Sequence, residues 1–345
     1  MIEVLAKPDR GGYTRAQMQE LRRAAHGGVG AVMIGCALAA LALAAGWAAG
    51  SLYANPSPPN PCADGCVAGI EAAPEASPTK ASTPRRTPEP EPTPDEPEGF
   101  PYVTAGSIAV VEGSCGALIY GRNEREPFPP ASLTKLMTAA VATDQADTSM
   151  LITSNVDGAA LYDATGSTIM GLRPGMQLSL LDLLYGLLLP SGNDAAIAIA
   201  GGVAGSEEAF VELMNAKAQS LALTDTHFTN AHGLYEDGLT SSARDMAMLA
   251  RYVMQNATLR EIVRTLEYQP AWDGPSIWNG NAFLAEYPGA DGVKIGYTEE
   301  SQQTIVASAS RDNRRIIIAL LRSQDRYTDA ARLFDWAFVE PSGCP

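Results

Sequence analysis

The hydrophobic pattern changes period several times along the chain. Residues 29–49, VGAVMIGCALAALALAAGWAA, are apolar throughout, and no charge falls between Gly27 and Ala63. At about 1.5 Å rise per residue, a helix of that length crosses the ~30 Å hydrocarbon core of a bilayer. Periodicity then vanishes. Residues 55–98 hold 12 of the chain's 24 prolines, in runs such as TPEPEPTPDEPE. Such a stretch cannot bury apolar area and reads as an extended linker. From residue 100 regular patterns return. SIAVVEGSCGALIYG reads as two strands turning at Gly113–Gly116, and a helix is predicted from about Ser132. LSLLDLLYGLLL (178–189) and NDAAIAIAGGVA (193–204) are almost wholly apolar helices and therefore buried. Further helices are predicted over 206–222 and 241–256. DGVKIGYT, QTIVASAS and RRIIIALL read as strands, the last two joined by the turn RDN. RYTDAARLFDWAF reads as a closing helix. Strands at both ends with helices between them predict an α+β domain: an antiparallel sheet built from both termini, an inserted helical lobe and a cleft between the two.

Charge adds a topology. Lys7, Arg10, Arg15, Arg22 and Arg23 precede the apolar span and outnumber the acids there, and positive flanks stay in the cytoplasm. The expected organisation is a cytoplasmic segment over 1–28, a transmembrane helix over 29–53, a linker over 54–99 and an extracytoplasmic domain over 100–345. The long leading segment and the full spanning length favour an uncleaved anchor over a signal peptide. TRAQMQELRRAA reads as a short cytoplasmic helix. The formal net charge of −15 argues against nucleic acid as a partner. The three histidines, His26, His227 and His232, form no metal-ligand pattern with the cysteines, and no cofactor is expected. Outside the cytoplasm Cys62 and Cys66 could pair locally. Cys115 and Cys344 could also pair, and the sequence leaves that open.

Three short motifs carry candidate chemistry. In PPASLTKLM, Ser132 and Lys135 stand one helical turn apart, where two prolines give way to a helix. That pair suits a serine nucleophile beside an amine, and equally a helix cap beside a solvated lysine. In LLPSGNDAA, Ser191 and Asn193 lie between two apolar helices, where turn residues are ordinary. In GADGVKIGYT, Lys294 interrupts an apolar strand, as an edge-strand guard would, and Gly296 follows two residues later.

In this order the motifs read SLTK, SGN and KIG, and they resemble S-x-x-K, S-D-N and K-T-G, the signature of penicillin-binding proteins and class A β-lactamases. The flanking words PPASLTKLMTA, LLPSGNDAA, TNAHGL and WNGNAFLAEYPGADGVKIGYT resemble the D-alanyl-D-alanine carboxypeptidases, the low-molecular-weight penicillin-binding proteins, through nearly all of 104–339. The resemblance implies a β-lactamase/penicillin-binding-protein-like fold with a five-stranded antiparallel sheet. It implies a peptidoglycan stem peptide ending in D-Ala-D-Ala as substrate and β-lactams as covalent inhibitors. Ser132 is then the nucleophile, Lys135 its base and Ser191 a proton relay to the leaving D-alanine. Asn193 holds the substrate amide. Lys294 and Arg326 meet the terminal carboxylate, and the N–H groups of Ser132 and Tyr297, beside Gly296, face the oxyanion. Asn279 and Asn281 order the loop before the third motif, and His232 is structural.

One position departs from the family. Ile295 stands where the family has threonine, and it cannot hydrogen-bond substrate. The expectation is a slow carboxypeptidase that leans on Lys294 and Arg326. A D,D-endopeptidase shares all three motifs. A class A β-lactamase would need an E-x-x-L-N-type segment between Asn193 and Lys294, which is missing. A catalytically weak penicillin- or peptidoglycan-binding module is the remaining alternative.

Overall fold

The computed structural model describes residues 96–345 apart from residue 273. The predicted cytoplasmic segment, the apolar span and nearly all of the linker lie outside the described residues. Among the described residues, no helix is long and apolar enough to cross a membrane.

The chain enters through β1 (Ser107–Glu112) and β2 (Leu118–Arg122), joined by the predicted Gly113–Gly116 turn. A 3-10 turn over Ala131–Thr134 then leads into α1 (Lys135–Gln145). The helical lobe follows. It contains β3 (Leu151–Thr153), α2 (Gly158–Thr165), β4 (Gln177–Ser179), α3 (Leu180–Leu188), α4 (Asn193–Ala204) and α5 (Glu207–Ser220). Next come α6 (Ala243–Gln255), α7 (Ala257–Arg264), the short pair β5 (Glu267–Tyr268) and β6 (Ile277–Trp278), and α8 (Phe283–Glu286). β7 (Ala290–Thr298), β8 (Gln302–Arg311), β9 (Arg314–Ser323) and α9 (Arg326–Ala337) complete the domain.

The main sheet has the order β2-β1-β9-β8-β7 and every pairing is antiparallel. First and last strands therefore meet at its centre, as the sequence predicts. β9 shows why RRIIIALL lacks polar alternation. Ile317, Ala319 and Leu321 pack towards the helical lobe, whereas Ile316, Ile318 and Leu320 pack towards α9 with Leu333 and Phe334. A strand covered on both faces reads as a continuous apolar run.

Two helix boundaries differ from expectation. Ser132 begins no α-helix. Pro129 and Pro130 restrict the chain, Ala131 takes φ +52°, and the turn stays tight until Lys135. The predicted helix over 241–256 stops at Gln255 because Asn256 caps a second helix, its side chain accepting from the N–H groups of Thr258 and Leu259.

Cys115 and Cys344 form a disulfide, with Cα atoms 6.0 Å apart across 229 residues of sequence. The buried carboxylate of Glu112 pairs with Arg314 at 2.6 Å and accepts from the Gly343 N–H. Arg314 also donates to the carbonyl of Glu340 at 2.7 Å. The C-terminal tail is thus fastened to the first hairpin.

Candidate active site

The 3-10 turn, α4, β7 and the loop over 230–234 converge at Lys135. Its side chain is fully buried, and its Nζ lies 3.1 Å from Ser132 Oγ, 2.6 Å from Asn193 Oδ1 and 2.6 Å from the carbonyl oxygen of His232. Burial holds the Lys135 amine well below its ordinary value. The Lys294 charge pushes the same way, and Asp194 opposes both.

The second motif is built by the turn between α3 and α4. Ser191 takes φ +67°, a conformation a side chain adopts at a cost, and neighbours hold it there. Thr168 Oγ1 donates to the Ser191 carbonyl at 2.8 Å, and Asn193 N donates to the Thr168 carbonyl at 2.9 Å. The Asp194 carboxylate keeps that neighbouring segment in place, accepting from the N–H groups of Met170, Gly171 and Leu172 at 2.8 Å each. Ser191 Oγ is buried without a hydrogen-bond partner.

β7 forms the opposite wall, at the edge of the sheet. Lys294 is buried and its amine is pushed down to about 7, by desolvation first and the Arg326 charge second. Gly296 marks the point of closest approach: a Cβ there would stand 2.9 Å from the backbone nitrogen of Ser132. Tyr297 follows with its ring mostly exposed. Ile295 is partly buried and packs against the outer apolar cluster, opposite Ile305 on β8.

Arg326 opens α9. Its Nη1 donates to the carbonyls of Gly296 at 2.7 Å and Thr304 at 3.2 Å, so part of the guanidinium supports the third motif itself. Its Nε is buried and unpartnered. Asn279 donates to the carbonyls of Val263 and Thr265 and accepts from Asn281 N, while Gly280 N donates to the Leu189 carbonyl. The loop before β7 is thereby fixed to the Ser191 turn.

Of the residues selected from sequence, the structure brings Ser132, Lys135 and Asn193 into direct contact, sets Gly296 beside Ser132 and bonds Arg326 to the Gly296 carbonyl. What sequence reasoning missed is the backbone of His232. Its ring is a local structural group: Nδ1 accepts from Leu234 N at 3.1 Å, and burial followed by the Lys135 charge holds the ring's value near 4. Its carbonyl, which any residue could supply, is what touches the lysine. Among the described residues, no group of His, Cys, Asp or Glu is arranged to hold a metal ion.

The D-alanyl-D-alanine carboxypeptidase family model matches residues 93–325. The chain belongs to that family. Curated relatives include D-alanyl-D-alanine carboxypeptidase DacF of Bacillus subtilis, 34% identical over 243 residues, and DacA of Escherichia coli, 34% identical over 251 residues. These alignments cover 68% and 70% of this chain and 62% of each relative, so the chain spans under two thirds of their length. The fold also matches solved structures. The Streptomyces K15 DD-transpeptidase superposes with a TM-score of 0.67 at 28% identity, over 70% of this chain and 99% of that one. A D-alanyl-D-alanine carboxypeptidase from Mycobacterium tuberculosis gives 0.66 at 32% identity, over 73% and 97%.

Proposed function

We propose that this protein is a serine-type D-alanyl-D-alanine carboxypeptidase, removing the terminal D-alanine of peptidoglycan stem peptides through an acyl-enzyme on Ser132. The observation that carries the reading is the set of three oxygens around Lys135 Nζ. A neutral amine has two N–H donors and one lone pair. The amide oxygen of Asn193 and the carbonyl of His232 can only accept, so they take both donors. The lone pair is left for the one partner that can donate, the Ser132 hydroxyl. Burial and Lys294 favour that neutral state. The arrangement is a base with a single proton to collect.

The remaining roles are those the family resemblance implies. Ser132 Oγ attacks the carbonyl between the two D-alanines as its proton passes to Lys135. The oxyanion is met by the N–H groups of Ser132 and Tyr297, held close by the Gly296 approach. Ser191 Oγ, buried and unengaged, hands its proton to the departing amine and is reprotonated by the proton Lys135 took from Ser132, and Asn193 holds the substrate backbone. Lys294 and the free part of the Arg326 guanidinium present positive charge to the terminal carboxylate. Water then releases the acyl group, and a β-lactam would follow the same first step and remain bound. Ile295 removes one hydrogen bond from this set and favours a slow enzyme over a fast one.

The domain is proposed to stand outside the cell on an uncleaved N-terminal anchor over residues 29–53, spaced from the membrane by the linker over 54–99. The Cys115–Cys344 disulfide supports an oxidising compartment. The test of function is release of D-alanine from a synthetic pentapeptide, with covalent labelling by a fluorescent penicillin. Ser132→Ala should abolish both with the fold intact. Labelling at the parent rate in that variant would exclude Ser132 as nucleophile, and rapid turnover of the label would point to a β-lactamase instead.

A further inference from the structure

The loop that delivers the His232 carbonyl lies along one face of the nucleophile segment. Three of its residues meet that face in turn. Gly233, at φ +88°, is so close that a Cβ there would overlap the Ala131 carbonyl oxygen and stand 3.0 Å from Thr134 Oγ1. The His232 carbonyl accepts from Lys135, and the Ala231 carbonyl accepts from Thr138 Oγ1 at 2.6 Å. Residues 131, 134, 135 and 138 share one face of the turn and helix. The loop therefore both contacts the lysine and covers it.

A short loop presents three consecutive groups in this way only if its own turn is fixed. One buried side chain does so. Asn230, 5% exposed, accepts through Oδ1 from Gly233 N at 2.7 Å and from His232 N at 3.3 Å. Through Nδ2 it donates to the Leu234 carbonyl at 3.1 Å and to Glu236 Oε2 at 3.0 Å. A second tie comes from Glu207 at the start of α5, whose Oε1 accepts from Ala231 N at 3.0 Å. Asn230 thus spans the turn with both ends of its amide engaged.

We infer that Asn230, oriented by Glu236, is a positioning residue for the reaction: it sets the turn that holds the His232 carbonyl on Lys135 and keeps water from the amine. The inference rests on Lys135 being the base of the proposed reaction, but the geometry can be tested without that reaction.

The groups facing Lys135 from the surrounding elements are Lys294 on β7, Asp194 on α4 and His232 on the loop, with Glu207 and Glu236 behind the histidine. Asn230→Ala substitutes none of these; Glu236 loses one hydrogen bond but is not among the charges that shift Lys135, so a change in Lys135 titration in that variant reports the loop. In the full-length protein, lysine side-chain nitrogens are followed by NMR as pH is varied. Burial is the largest influence on Lys135, so opening the loop should move its midpoint upward, towards an ordinary lysine. Penicillin acylation should slow by on the order of 100-fold, as expected for a misplaced reacting group. The acid limb of its pH profile should move upward in step.

A structural role alone would lower thermal stability and leave the Lys135 midpoint in place, and that result overturns the inference. Should Asn230→Ala fail to fold, the decision passes to Asn230→Asp alone and combined with Glu236→Gln. The pair restores a donor opposite the new carboxylate. Recovery of the parent midpoint in the double variant but not in Asn230→Asp supports the inference, and equal midpoints in both refute it. If the unmodified protein takes no penicillin label, the proposed function fails, while the lysine titration still decides the role of Asn230.

Discussion

The backbone nitrogen of Ser132 and the α-carbon of Gly296 are so close that a methyl group on the glycine would stand 2.9 Å from that nitrogen. Two elements far apart in sequence, the turn carrying Ser132 and the edge strand β7, meet at this point. The methyl of Gly296→Ala would also stand 2.6 Å from Thr304 Oγ1, and, because the Ser132 nitrogen is backbone and cannot rotate away, it must move β7 or the Ser132 turn. The expected result is a fall of on the order of 100-fold in penicillin acylation, with circular dichroism close to that of the parent. Acylation at the parent rate would show that the approach has slack.

Lys135 sits between a cation and an anion, and the two can be removed separately. Lys294 lowers the Lys135 value, so Lys294→Gln should raise it and move the acid limb of acylation to higher pH. Asp194 acts oppositely, so Asp194→Asn should move that limb to lower pH. It should also lower the melting temperature, because an amide oxygen cannot replace both carboxylate oxygens for the N–H groups of Met170, Gly171 and Leu172. Stopped-flow acylation across pH reads both shifts. Movement of the two limbs in the same direction would contradict the electrostatic assignment.

Burial, followed by the Arg326 charge, pushes the Lys294 amine down to about 7. Its charge is present below that pH and lost above it. Initial capture of a carboxylate-terminated peptide should therefore weaken as pH rises through about 7, and Lys294→Gln should flatten the dependence. Arg326→Ala should be more damaging than Arg326→Lys, because the guanidinium also bonds the Gly296 and Thr304 carbonyls. Pre-steady-state binding constants distinguish these effects from changes in the chemical step.

Ile295→Thr puts back the hydroxyl that the family carries in the third motif. A hydrogen bond to a charged group contributes roughly 1.5–3 kcal/mol, so acylation should rise by about ten- to a hundredfold. The side chain also packs against the outer cluster near Ile305, so the melting temperature should fall slightly. A slower variant would mean that the isoleucine suits a pocket reshaped around it.

The anchor can be tested on intact protoplasts. External protease should cut the proline-rich linker and release a soluble domain that still takes penicillin. A mature protein whose first residue lies beyond 49, or a domain protected from protease, would remove the anchor from the account.

Much of the site was legible because its chemistry is written in side chains. Ser132, Lys135, Ser191, Asn193 and Lys294 are unusual residues for their settings, and their order is distinctive. α4 was read correctly over 193–204 because its apolar run starts directly after a turn. The β8–β9 hairpin was read from its RDN turn. The missing pieces have weaker signals. β3–β4 and β5–β6 are two or three residues per strand, too short for alternation to register. The break at Asn256 was hidden because polar residues occur within helices as well as at their ends. The His232 carbonyl could not be read at all, since every residue carries one. Asn230, two residues earlier, was a visible side chain, but only the fold shows that its amide spans the turn.

The position of β9 has a consequence for how the domain comes into being. Ser107 pairs with Leu321 and Glu112 with Ile316, so the first strand to be synthesised waits for the last. Until β9 arrives, β1 and β2 have no inner neighbour, and β7 and β8 have no bridge to them. The sheet cannot grow strand by strand as the chain emerges, and long-range closure of this kind is slow. If the domain is threaded across a membrane from its N-terminus, its apolar first hairpin is exposed throughout that passage. The nucleophile turn then acquires its Gly296 wall near the end of the process, so an incomplete chain would carry the serine without the pocket.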